Sequence, residues 1–401
     1  MKSMQFALSG RQVLVTGGTG FIGGRLVERL VLECNADVRV LVRNYARVSR
    51  IARFPIELVP GDVTQPDDVE RAASGCEVIF HCAYGNSGSD RMRRLVNVEG
   101  TRNVLEAALH SGAERIVQIS TLLVYGITSN GDLDETAPRR YSGHVYSDSK
   151  LDAEKLAFDC VEKHGLPVAI LQPTAVYGPF DLGWTIGVLQ TLKTGRMILV
   201  NGGNGLCNAV YVDDVVSAML LAAVKEEAVG EAFLISGEQP VTWRDFFDRY
   251  AHMLAISGTV SMSAAEAKAY SAKRQKRTSI VKETLSILRE EPLIRRRVLQ
   301  TREANALMKI IRLLLPKQIH QSLKRQIGIS ERDCPLEAAS VGEKPIHPLD
   351  PYMVQFYATK TRVRVDKAKR MLGYQPDFDF ESGMRLTEEW ARWANLLHGS
   401  G

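Results

Sequence analysis

Through the first half of the chain, short apolar runs alternate with longer stretches whose apolar positions recur at helical spacing. Gln12–Thr16 is rich in β-branched residues and reads as a strand. In Phe21–Glu33, Phe21, Ile22, Leu26 and Leu30 share one helical face. Further strands are predicted at Asp37–Val42, Val78–Cys82, Arg115–Ser120 and Val168–Leu171. A short helix opened by proline is predicted at Pro66–Ala73, and a long one at Leu95–Ser111, stopped by Gly112. Strands spaced by helices in this way belong to a parallel sheet covered on both faces, and right-handed crossovers make it doubly wound.

After Pro179 the pattern shortens. Helices are predicted at Asp213–Val224, at Thr242–Leu254 with Thr242 as cap, at Lys367–Leu372 and at Glu381–Leu397, with a strand at Ala232–Ser236. These elements read as a smaller lobe. Pro335, Pro345, Pro348 and Pro351 mark an irregular connector.

A length of 401 residues exceeds one ordinary core, so an α/β body with added elements is expected. Apolar residues at 45% and charged ones at 24% exclude a disordered chain. The six cysteines are scattered, with no C-x-x-C pair and no metal-ligand spacing, which fits reduced thiols in a cytoplasmic protein without a metal centre. The N-terminus lacks the charged-then-apolar pattern of a signal peptide. No apolar run approaches the ~18 residues of a membrane span.

The net charge of +5 is unevenly placed. Residues 261–330 hold 16 Lys and Arg against 5 Glu, an excess of 11, so the rest of the chain carries a net −6. Within it, Ala306–Ile327 mixes apolar residues with Lys309, Arg312, Lys317, Lys324 and Arg325, and Pro316 breaks or kinks any helix there. One reading lays this segment on an anionic membrane surface as a peripheral contact where a lipophilic substrate enters. The other makes it a helical lid or oligomer contact with solvated charges. Nucleic acid is disfavoured, because aromatic residues do not interleave with the charges of that stretch.

Two motifs carry chemistry. Thr16–Gly23 reads T-G-G-T-G-F-I-G between a strand and a helix, so Gly17, Gly20, Phe21, Ile22 and Gly23 are candidates to meet a pyrophosphate. The glycines let backbone approach closely, and the helix N-terminus offers free N–H groups. At the end of the second strand, where an acid would favour the 2′-hydroxyl of NAD, stands Arg43, with Arg47 and Arg50 nearby. A guanidinium suits a 2′-phosphate, so NADP is favoured, with NAD as the alternative. The second motif, Tyr146-Ser-Asp-Ser-Lys150, sets a phenol and an ammonium on one helical face. The cation is expected to lower the tyrosine pKa and equip it for proton transfer while a nicotinamide handles the hydride. Thr121, at the C-terminal end of a strand in S-T-L-L-V-Y-G, offers a hydroxyl for the substrate oxygen.

With these motifs in this order, and with G-D-V at 61–63, H-C-A at 81–83, N-V-E-G-T-R-N-V-L-E-A-A at 97–108, Q-P-T-A-V-Y-G-P at 172–179, V-D-D at 212–214 and L-G-Y-Q-P at 372–376, the chain resembles the extended short-chain dehydrogenase/reductases. That family includes nucleotide-sugar epimerases, dehydratases and hydroxysteroid-type dehydrogenases. The resemblance implies a Rossmann-type doubly wound sheet over 10–178, a substrate lobe from 179–260 and 351–398, and a basic helical insertion at 261–350. It implies that Asp62 and Val63 flank the adenine, that Cys82, Ala83 and Asn97 line the cofactor, and that Pro173 and Val176 sit by the nicotinamide. Thr121, Tyr146 and Lys150 are implied to be catalytic, and a homodimer is plausible. Read from the residues themselves, His81 and Cys82 are strand-end core residues, and Asp213 and Asp214 cap the following helix.

Departures narrow the reaction. Sugar dehydratases carry an acid and a base where this chain has Leu122 and Leu123, so dehydration is disfavoured. Nucleotide-sugar enzymes tend to carry Asn at Ala175 and Arg at Asn208, groups that grip a diphosphate. The expectation is an NAD(P)-dependent oxidoreductase acting on a carbonyl or secondary alcohol of small-molecule, sterol-like kind. A nucleotide-sugar epimerase with bound NAD and a non-enzymatic cofactor-binding protein are the alternatives.

Overall fold

In the computed structural model, residues 7–85, 88–128, 130–274 and 344–397 are described. In strand β1 (Gln12–Thr16), Val13 and Val15 pack into one apolar cluster and Leu14 into another, on the opposite face. Burial on both faces is what a central parallel strand requires. Beside it run β2 (Asp37–Val42), β3 (Glu57–Pro60), β4 (Val78–His81), β5 (Arg115–Ile119), β6 (Val168–Pro173) and β7 (Ala232–Ile235). All neighbours are parallel, in the order β3-β2-β1-β4-β5-β6-β7. The chain reverses its winding between β1 and β4, and the crevice past their C-terminal ends is the expected ligand position.

Helices α1 (Phe21–Leu32) and α5 (Val212–Val224) pack together on one face. On the other face lie α2 (Pro66–Ala73), α3 (Gly100–Ser111) and α4 (Val145–His164). The long helix expected at Leu95–Ser111 is interrupted. Leu95–Glu99 is a π-helical turn, and regular α-helix starts at Gly100, where a Cβ would stand 2.9 Å from Val63 Cγ2. Edge strand β3, too short and mixed to stand out in the sequence, is an addition.

The expected division into lobes is corrected in two places, and the expected connector in one. Ala232–Ile235 pairs with β6 as the seventh sheet strand, and α5 lies on the sheet, so both belong to the body and not to the substrate lobe. Alternation along the chain cannot show which sheet a short strand joins. A strand at Thr259–Met262 pairs with Met197–Val200 and runs across the expected boundary at 260/261. Pro351, expected in the connector, occupies the first turn of helix α7 (Pro351–Ala358), capped by Asp350.

The second lobe is built on α6 (Trp243–Met253), which opens with a capping box of Thr242 and Asp245. Its Trp243 packs among Trp184, Phe247, Phe356 and Tyr357. Helices α8 (Asp366–Leu372) and α9 (Phe380–Trp393) close the chain. Most of the basic segment, including Arg295–Arg297 and Ala306–Ile327, lies outside the described residues. No helix among the described residues is long and apolar enough to cross a membrane.

Candidate active site

The glycine loop joins β1 to α1. Gly17 has φ +70°, and a Cβ there would stand 2.6 Å from the Ala83 nitrogen and the Cys82 carbonyl carbon. A Cβ on Gly23 would overlap the Gly17 carbonyl oxygen. Helix α1 begins after Gly20 with no side-chain cap and no acid in its first turn, and Phe21, Ile22 and Gly23 supply that turn. A helix N-terminus left open in this way suits an anion, so the residues present fit the pyrophosphate of a dinucleotide. Arg43 projects from the end of β2, its side chain 65% exposed, with Nη1 3.5 Å from Asp62 Oδ2. Asn103 donates to the Val63 carbonyl at 2.8 Å and Asp68 accepts from the Asp62 N–H at 3.0 Å, which pins the loop where adenine is expected. Arg50 is committed elsewhere, to the Phe21 carbonyl, Glu28 and the ring of Phe180.

Thr121, Tyr146 and Lys150 come together just past the end of β5. Thr121 is buried, bonds Tyr146, and accepts from the Leu123 N–H at 3.3 Å. Lys150, only 4% exposed, donates from Nζ to the carbonyl of Ile119 at 2.5 Å. The expected lowering of the Tyr146 pKa by Lys150 is not found. Burial pushes Tyr146 up to about 12, helped by Tyr84 and Tyr352, while the Thr121 hydrogen bond works against it. With the ammonium directed at Ile119, desolvation prevails, and Tyr146 holds its proton at neutral pH. Burial draws Lys150 down to about 8.

A buried hydrogen-bonded chain links the glycine loop to α4. Since the Thr101 hydroxyl donates to the Asn97 carbonyl at 2.7 Å, it accepts from His81 Nε2 at 3.0 Å. His81 Nδ1 is then left to accept from Thr16 at 2.7 Å. Burial draws His81 down to about 3, so the ring is neutral and structural. Asn97, in the π-helical turn, accepts from the Gly85 N–H at 2.7 Å and donates to Ser149 at 2.9 Å, and Ser149 donates to the Tyr146 carbonyl at 3.0 Å. Asn97 therefore holds the loop after β4 and the start of α4, rather than presenting a free amide to a ligand. Cys82 and Ala83 stand against Gly17, and Pro173 and Val176 are buried at and just past the end of β6.

The family description "NAD dependent epimerase/dehydratase family" matches residues 13–236, which hold the loop and the Thr121, Tyr146 and Lys150 set. The chain belongs to that family, within the extended short-chain dehydrogenase/reductases. It is an NAD(P)-dependent oxidoreductase. A 4-hydroxy-2-methyl-3-oxo-4-farnesyl-3,4-dihydroquinoline-1-oxide ketoreductase from Stigmatella aurantiaca is 28% identical over 271 residues, 65% of this chain and 79% of that protein. A decarboxylating sterol-4-alpha-carboxylate 3-dehydrogenase from Candida albicans is 25% identical over 95% of this chain and 97% of its own. Among solved structures, a dTDP-glucose 4,6-dehydratase from Streptomyces venezuelae, with NAD and TYD bound, superposes with a TM-score of 0.65. It is 21% identical, covering 95% of this chain and 97% of that one, a likeness of fold.

Within this family the chain departs at the substrate wall. Leu122, Ile127, Ala175, Leu206, Phe356 and Val363, with Thr128, Thr359 and Thr361, line a narrow cleft of about 20 Å³ that begins at Leu122, next in sequence to Thr121. Asn208 lies in the same cleft with its amide spent, donating to the Thr361 carbonyl at 2.9 Å and accepting from the Val363 N–H at 2.9 Å. Sequence reasoning missed Tyr352. It reaches the site from α7, stacks on His144 at 4.5 Å and bonds Ser147 at 3.2 Å. No local signal could have found a residue more than 200 positions from Tyr146. Asp213 and Asp214 are not caps. Asp213 pairs with Arg25 at 2.7 Å, and Asp214 accepts from the Asp377 N–H at 2.8 Å.

Proposed function

We propose that this enzyme interconverts an apolar ketone and its secondary alcohol, with NADP as preferred cofactor and NAD as the alternative. The observation that carries the reading is the mostly apolar lining of the narrow cleft at Leu122 and Ala175, in which Asn208 is tied to backbone. A nucleotide diphosphate there would meet neither a cation nor a free amide at the two positions where nucleotide-sugar enzymes carry them. The names of the Stigmatella and Candida relatives, a farnesyl-dihydroquinoline ketoreductase and a sterol-carboxylate dehydrogenase, support a lipophilic substrate. Arg43 supports NADP, since an exposed guanidinium at the end of β2 pairs well with a 2′-phosphate.

When bound, the nicotinamide supplies or accepts the hydride. Tyr146 gives its hydroxyl proton to the developing alkoxide in reduction and takes it back in oxidation. Thr121, hydrogen-bonded to Tyr146, orients the same substrate oxygen. Lys150 holds the nicotinamide ribose. Asn97 and Ser149 keep the first turns of α4 in place.

The purified protein should oxidise NADPH faster than NADH in the presence of lipophilic ketones, read at the nicotinamide absorbance band. A protein that retains NAD through purification and interconverts nucleotide sugars without net cofactor turnover would overturn the reading in favour of an epimerase. Tyr146→Phe should lower turnover by about 10²–10⁴-fold while NADPH affinity stays within about twofold. Unchanged turnover would instead favour the non-enzymatic alternative or a different acid. For residues 261–330, co-sedimentation with anionic vesicles at low salt separates a membrane contact from a solvated lid. A homodimer rests on the family resemblance and is read by sedimentation.

A further inference from the structure

Tyr146, Lys150 and Glu154 follow one another at four-residue intervals on α4, along one face of the helix. Glu154 has no solvent exposure. A carboxylate in that position is costly unless it is paired. Its oxygens accept from Gln172 Nε2 at 2.9 and 3.1 Å and from Arg139 Nε at 2.9 Å. Gln172, on β6, is fixed in turn by the Tyr125 hydroxyl, which donates to its Oε1 at 2.8 Å. The Arg139 guanidinium lies over the rings of Phe158 at 4.9 Å and Tyr125 at 6.0 Å. Proton and hydride transfer as read above use none of these four side chains.

We propose that Glu154 is a positioning residue for the reaction: held by Arg139 and Gln172, it is the buried counter-charge that keeps the Lys150 ammonium charged beneath Tyr146. The alternating row of Arg139, Glu154 and Lys150 compensates charges that burial would otherwise neutralise. The other titratable groups facing Lys150 are His81 and Cys82, both at the end of β4, and Glu154 also faces Tyr125. Burial pushes Cys82 up to about 12 and His81 down to about 3, so both are neutral near pH 8, and it raises Tyr125 as well. Burial raises Glu154 too, opposed by its bonds to Ser120 and Gln172 and by the charges of Arg139 and Lys150, and against the desolvation that draws Lys150 down to about 8 the Glu154 carboxylate is the first opposing charge.

The proposal rests on the reading of Lys150 as the residue that holds the nicotinamide ribose. It is tested by fluorescence titration of the full chain with NADPH between pH 6 and 10. Wild-type affinity should fall on the alkaline side as Lys150 loses its proton. Glu154→Gln should move that fall about one pH unit lower, weakening binding near pH 8.5 several-fold and up to about tenfold, while Glu154→Asp stays close to wild type. Lys150→Met should abolish the alkaline fall. If Lys150→Met abolishes it and Glu154→Gln leaves it in place, the counter-charge is overturned and the role of Lys150 stands. If Lys150→Met retains it, the underlying reading of Lys150 fails and takes the proposal with it. Should Glu154→Gln not fold, Arg139→Gln decides: its side chain is 31% exposed, and removing it makes Glu154 easier to protonate. The fall should then shift the same way by a smaller amount, and a curve superimposable on wild type overturns the proposal.

Discussion

Gly17 shows how one residue serves both fold and ligand. Its φ of +70° is cheap only for glycine, and the 2.6 Å approach to the backbone at 82 and 83 leaves no room for a methyl group. Gly17→Ala should cost about 1–3 kcal/mol of stability and weaken NADPH binding at least tenfold, measured by thermal melting and fluorescence titration. A variant with native cofactor affinity would show that the loop does not hold the pyrophosphate. At this scale the placement of the candidate residues was legible in the sequence. The glycines, Thr121, Tyr146 and Lys150 stand at diagnostic spacings, and the structure brings the last three together. The electrostatics were not legible. Four-residue spacing promised a lowered tyrosine pKa, whereas burial and the turn of Lys150 toward Ile119 raise it. Glu154 shares that spacing, yet only its burial against Gln172 of β6 reveals that it is paired.

Among the elements, α5 differs most from its sequence reading. Asp213 and Asp214 stand in its first turn, where acids suit the helix dipole, and capping was the natural expectation. Instead Asp213 pairs with Arg25, the carbonyl of Asp213 accepts from Arg29, and Asp214 is buried against the loop before α9. Burial raises Asp214 from its ordinary 3.8 to about 7, against its backbone hydrogen bonds. The folded chain thus prefers the protonated form. The stability this group contributes is fully present below pH 3.8 and is lost as pH rises through 7. Asp214→Asn should remove that dependence, so its melting temperature should gain on wild type between pH 5 and 8.5. Parallel curves over that range would count against the assignment. Thr242, by contrast, caps α6 as its sequence suggests, and Thr242→Ala should cost about 1 kcal/mol in denaturant unfolding.

For the whole molecule, the described residues on either side of 275–343 meet. Tyr270 donates to the Ile346 carbonyl at 3.1 Å, and Leu349 N–H donates to Ser271 at 3.0 Å. Phe356 and Tyr357 then rejoin the cluster around Trp243. Replacing 275–343 with a short Gly/Ser linker should therefore leave the melting temperature within a few degrees, because closing a loop between adjacent ends costs little. A collapse of cooperative unfolding would show that the segment carries part of the core. The same variant should lose any binding to anionic vesicles that the full chain shows.

The sequence by itself determined the alternation that makes a parallel doubly wound sheet, the glycine loop that opens α1, and the candidate set of Thr121, Tyr146 and Lys150, because each depends on spacing within a few turns or strands. Tertiary structure alone decided that β7 and α5 join the sheet body, that Tyr352 reaches Ser147 beside Tyr146, that Asn208 is spent on strand backbone, and that Glu154 is fully buried against Gln172 and Arg139. Those outcomes depend on which distant segments exclude water together, and burial of this kind sets both the charge of a side chain and its freedom to meet a ligand.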